Sequence, residues 1–81
     1  MLKLLLLEEK MLGYFSREHL AAVDGHIARS EEFIAKQRNQ VAHLVSNGDD
    51  ARPAEALLST LLETQALFHD YRTRIEQSLL T

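Results

Sequence analysis

Ser46-Asn47-Gly48-Asp49-Asp50 is the clearest punctuation in a chain otherwise patterned for helix, and its reading decides the fold. Asn-Gly supplies residues that tolerate positive φ, so a helix arriving here ends, with Gly48 as the residue past its C-cap. Asp49 or Asp50 then caps a second helix, whose first turn accepts Pro53 because the N–H groups there lack intrahelical partners. Glu55 complements the positive end of that helix's dipole. So short a connection makes the two helices antiparallel neighbours.

Back from the turn, Arg17 to Val45 carries one unbroken helical pattern. Leu20, Ile27, Ile34 and Val41 recur at seven-residue steps, with Val23, Ser30, Gln37 and Leu44 three residues after each. This is a heptad seam, apolar at both ends and polar in the middle. Gly25 either marks a close helix–helix approach or is tolerated at about 1 kcal/mol relative to alanine. Ser16 is placed as the N-cap. Beyond the turn, Ala54, Leu61, Phe68 and Ile75 repeat the heptad, with Leu58, Gln65, Arg72 and Leu79 four residues after each. The expected fold is therefore all-α, an antiparallel two-helix hairpin with helices over 17–46 and 51–80.

Folding the chain about Gly48 pairs positions whose numbers sum to roughly 99, as expected of antiparallel neighbours. Ile34 then lies near Gln65 and Phe68, Ile27 near Arg72 and Ile75, and Gln37 within reach of Gln65. Ser30, Gln37, Gln65 and Arg72 are expected to share a polar layer that fixes register and oligomeric state. Arg72 is the most informative of the four. It either snorkels to water over its own stem or pairs with Glu31 or Asp24.

The chain has 81 residues, 46% hydrophobic and 26% charged, with a net charge of −3 and no cysteine. That describes one small foldable domain without a disulfide framework or thiolate metal site. So small a domain buries only ~60% of its unfolded surface and commonly relies on oligomerisation. The mild acidity, with both signs interleaved, lacks the basic footprint of a nucleic-acid binder. Residues 1–15 are expected as a separate N-terminal segment, with a short helix over 2–12, before a hairpin domain over 16–81. The run Leu4–Leu7 is too short for a signal peptide or a membrane span, so a cytoplasmic protein is expected. Met11 is an alternative start.

His19-Leu20, His26-Ile27-Ala28, Glu31, Ile34-Ala35, Gln37-Arg38, Leu44, Gly48 with Asp50, and then Ala54, Leu57-Leu58, Leu61, Gln65, His69 and Arg72 form a further pattern. In these residues the chain resembles a group of short helical-hairpin proteins common in alphaproteobacteria, rhizobia in particular. The resemblance covers about residues 17–80. It implies a bacterial cytosolic protein with a hairpin fold and no established activity. Ala51 departs from it, standing where such proteins often carry a threonine cap.

The reactive residues form no catalytic set. His19 and His26 lie seven apart, ~10.5 Å along one helix, too far to chelate one metal. No acid stands three residues before any histidine, so the Glu-x-x-His pairing of di-iron bundles is missing. A phosphoacceptor histidine finds only Glu18 beside His19, without a nucleotide loop. Arg29, Lys36 and Arg38 interleave with Glu31 and Glu32, as solvated pairs do.

The sequence thus points to a non-enzymatic structural or interaction protein without cofactor or metal, self-associating as a homo-oligomer, with a dimer favoured. A helical protein is the other partner class, and nucleic acid and membrane are not expected. Its anchors are Leu20, Ile27, Ile34, Val41, Leu58, Leu61, Phe68 and Ile75. Leu57, Leu62, Ala66, Leu67 and Tyr71 extend the second helix's apolar stripe beyond what one partner covers. The alternative is a ligand- or metal-responsive helical bundle using interface histidines.

Overall fold

Heptad spacing on both sides of a five-residue break produces two rods that fold back on each other. In the computed structural model, which describes residues 17–80, α1 (Arg17–Ser46) and α2 (Arg52–Leu80) pack antiparallel as a helical hairpin. The expected N-terminal helix, the Ser16 cap and the 1–15 segment lie outside the described residues.

Backbone hydrogen bonds explain both helix ends. The Gly48 N–H donates to the Val45 carbonyl (3.1 Å) and the Asp49 N–H to the Leu44 carbonyl (2.9 Å). This is the Schellman pattern, and it requires a left-handed residue, which Gly48 supplies at φ 72°. At the start of α2, the Ala51 carbonyl accepts the first helical bond, from the Glu55 N–H at 2.8 Å. Ala51 itself is therefore the cap residue, and the helix begins one position later than expected. Asp50 still serves that end. Its Oδ1 accepts the Arg52 backbone N–H at 3.1 Å, and its two oxygens accept Nε and Nη2 of Arg52 at 2.9 and 3.0 Å. The Arg52 side chain, followed by that N–H, holds the Asp50 carboxyl below its ordinary pKa.

Val23, Ile27 and Ile75 form the buried cluster, with Leu20 and Phe68 packed against it, and Ile75 is wholly buried. Ile34 and Ala51 are buried nearer the turn. Val41, Leu44, Ala54, Leu58 and Leu61 continue the seam as half-buried residues. Leu79 is the exception, 41% exposed at the end of α2.

The register is tighter than a sum of 99. Ser30 meets Gln65, Gln37 meets Ala54, Asp24 meets Arg72 and His26 meets Phe68. The connection explains the offset. Asp49, Asp50 and Ala51 are non-helical, and such residues span up to ~3.3 Å each against ~1.5 Å in a helix. Three of them can run back beside α1 by ~5 Å more than helix would, a slip of about three or four residues.

Gly25 does not mark a close approach. A Cβ built there finds nothing nearer than Nη1 of Arg29, at 4.0 Å.

Candidate interaction surface

Each helix contributes to two flanks beside the seam, and the flanks differ in chemistry. One carries Asp24, Glu31 and Arg38 of α1 with Glu55, His69 and Glu76 of α2. Arg72 closes it, donating from Nε to Asp24 across the hairpin and from Nη1 to Glu76 one turn on. These carboxylates, Asp24 foremost, raise the pKa of Arg72, although burial opposes them. Arg72 thus has Asp24 of the two partners considered from sequence, and Glu76 in addition.

The four polar seam residues divide into three bridges instead of one layer. Gln65 Nε2 donates to Ser30 Oγ at 3.2 Å, and that hydroxyl donates to the Ile27 carbonyl at 2.7 Å. Gln37 Nε2 reaches the Ala54 carbonyl at 2.9 Å, away from Gln65. Arg72 makes the third bridge. Among the described residues no buried side-chain polar atom lacks a partner, so the seam's polar groups incur little desolvation penalty.

The other flank is apolar and aromatic. His19, His26 and Phe33 lie along α1, and Leu57, Thr64 and Tyr71 along α2, with Leu67 just outside them. Phe33 is 56% exposed and Leu67 70% exposed. The Thr60 and Thr64 hydroxyls donate to carbonyls four residues back, at 3.2 and 2.9 Å. With the hydroxyls so engaged, these residues present mainly methyl surface. Leu57, Leu62 and Tyr71 are also exposed, Leu62 on the charged flank.

His26 sits within the apolar flank. Its ring stacks on Phe68, centroids 5.5 Å apart and 10° from parallel. Nη2 of Arg29 lies 2.9 Å from His26 Nδ1. Guanidinium only donates, so Nδ1 accepts and the neutral ring carries its proton on Nε2. Beside the pair, Phe33, Leu61 and Thr64 line an open cleft of about 210 Å³. That is below the ~300–1,000 Å³ usual for small-molecule sites. His43 Nε2 accepts from Asn47 Nδ2 at 3.1 Å near the turn, remote from His26 in sequence. Among the described residues no three His, Asp, Glu or Cys side chains converge.

Phe33 and the cleft lie outside the seam that the heptad pattern marks. The signal was present: His19, His26 and Phe33 recur at seven-residue steps, one position before the seam. No helix among the described residues is long and apolar enough to cross a membrane. Comparison with protein-family models, curated proteins and solved structures finds no match for this chain, so the surface is interpreted from its own residues.

Proposed function

We propose that this chain is a non-enzymatic structural module that works by self-association, most simply as a dimer of hairpins, and that offers the same helical face to helical protein partners. The observation that carries this is the apolar flank, where Phe33, Leu57, Leu67 and Tyr71 stand exposed along one side of the rods. Contiguous apolar surface of this kind marks an interface more often than it decorates a monomer. A two-helix hairpin also has little interior of its own, and a second copy supplies the missing half of a four-helix core. The resemblance to hairpin proteins of alphaproteobacteria supports the same class and a bacterial cytosolic setting. Sedimentation equilibrium tests the proposal: a dimer is expected at micromolar concentration, and a well-folded monomer at high micromolar concentration would refute it.

A second reading rests on His26. A proton or a metal ion on its Nδ1 would displace the Arg29 donor on the face that associates, making assembly responsive to acid or to a metal. Light scattering at neutral and mildly acid pH, with and without zinc, separates the two. An assembly indifferent to both sinks the histidine reading and leaves the first intact.

A further inference from the structure

A second copy meeting this hairpin has two flanks and two symmetry axes to choose from, and the charges along the rods select one combination. We propose that the flank of Phe33, Leu57, Leu67 and Tyr71 packs on the same flank of a second copy about a two-fold axis parallel to the helices. Each α1 then lies antiparallel on the partner's α2. The proposal rests on the self-association reading above.

The choice of flank follows from chemistry. The opposite flank is occupied by the ion pairs of Arg72 with Asp24 and Glu76, which a partner would have to desolvate. The apolar flank holds no acid, and its threonine hydroxyls are already satisfied within α2. Area permits the contact. Two rods of ~30 residues are ~45 Å long and ~20 Å across together, a face of ~900 Å². A standard interface buries ~800 Å² on each partner.

The choice of axis follows from charge. A parallel axis repeats between copies the register seen within one, which sets Ser30 beside Gln65 and His26 beside Phe68. On the outer rim, Arg29 then falls between the partner's Glu63 and the partner's Asp70, and Lys36 within about a turn of the partner's Glu63. Inside the rim, Phe33 arrives over the partner's Thr60 and the partner's Thr64, where the face is lowest. An axis perpendicular to the rods would instead lay α1 on α1 and α2 on α2. Lys36 would then approach the partner's Arg29, and Glu63 the partner's Asp70, like charge on like. Among the described residues neither Lys36 nor Glu63 forms an ion pair within one chain. Both are therefore available to a partner.

The test combines sedimentation equilibrium with one distance. Phe33→Glu is expected to raise the dimer Kd about a hundredfold, since it puts an unpaired charge inside the rim, over the partner's Thr60 and the partner's Thr64. Phe33 is exposed in the single chain, so helicity by circular dichroism should not change. Lys36→Glu and Glu63→Lys are each expected to raise Kd about fivefold to twentyfold, the contact occurring twice per dimer. The double reversal should lose less affinity than the two single losses multiplied together, because the 36–63 pair is restored while residue 63 still faces the partner's Arg29. The chain has no cysteine, so a spin label on Asp49→Cys reports the distance between the two turns. A parallel axis puts the turns at one end, within ~25 Å, and a perpendicular axis separates them by ~45 Å.

A wild-type chain that never dimerises would overturn self-association and this arrangement together. A dimer that tolerates Phe33→Glu would overturn the choice of flank while leaving self-association standing. Single losses that simply multiply in the double reversal, or turns ~45 Å apart, would overturn the axis.

Discussion

Gly25 lies inside α1, about two turns from its start, where glycine weakens a helix by leaving the unfolded backbone more freedom to lose. Replacing it with alanine removes ~0.8–1.0 kcal/mol of that cost, provided the new methyl meets nothing. The space is open: the nearest group to an added Cβ is the mobile end of Arg29, at 4.0 Å, an ordinary contact distance. Some of the gain is offset if Arg29 must shift its hold on His26. Gly25→Ala should therefore stabilise the hairpin by about 0.5–1 kcal/mol, or by about 4–8 °C per kcal/mol for a domain of this size.

Thermal melts of both proteins at several matched concentrations are the assay, because stability coupled to association depends on concentration. The expected result is a rise in Tm of similar size at every concentration. In the parallel-axis dimer Gly25 lies on the outer edge of α1, so the added methyl should not disturb the partner. A fall in Tm that grows with concentration would refute the reasoning, since it would mean that another chain packs against Gly25.

Gly48→Ala has the opposite sign although nothing lies within 4 Å of its added Cβ. The left-handed φ of 72° costs a non-glycine residue ~1–2 kcal/mol, so the denaturant midpoint should fall, and an unchanged midpoint would contradict the Schellman end. Ile75→Ala, at the one wholly buried side chain among the described residues, should cost ~2–5 kcal/mol, enough to unfold much of the population by circular dichroism. A loss under ~1 kcal/mol would mean that the Val23–Ile27–Ile75 cluster is not the main support. Asp50→Asn probes the start of α2. The folded carboxyl titrates below its ordinary value, so its contribution is present at neutral pH and is lost as pH falls through that depressed value. The difference in urea midpoint between wild type and Asp50→Asn should therefore shrink from about pH 7 to about pH 3, and a constant difference would count against it.

The hairpin itself was legible because burial in a two-rod fold is periodic. Leu20, Ile27, Ile34, Phe68 and Ile75 could be found by counting in sevens, and Gly48 could be assigned because its backbone demands a left-handed residue. The offset in register was hidden. Summing residue numbers treats the chain as if it rose at one rate throughout, and three non-helical residues after Gly48 break that assumption. The polar layer dissolved for the same reason. A slip of three or four residues sets Gln65 against Ser30, and Gln37, moved away from Gln65, reaches the Ala54 carbonyl a further turn on. Arg72's second partner, Glu76, stands at the ordinary i+4 spacing and adds a contact along the helix to the one across the hairpin.

The flanks were harder to read, since a seam is defined by what it buries and a flank only by what it leaves exposed. Phe33 illustrates this. On sequence it is one apolar residue beside the acids Glu31 and Glu32. In the fold it shares an edge with His26, Thr64 and the cleft. The contrast between flanks then has a physical consequence. Arg72, Asp24 and Glu76 satisfy one side from within the chain, so a partner approaching there must displace interactions already made. On the other side the hydroxyls are tied back, the aromatics stand out and the charges lie at the rim. A partner there displaces mostly water from apolar surface, and the rim sets its direction. The same heptad that builds the hairpin thus leaves one flank satisfied and one unsatisfied, and that asymmetry favours a closed pair of hairpins over an open-ended stack, in which both flanks would need to bind.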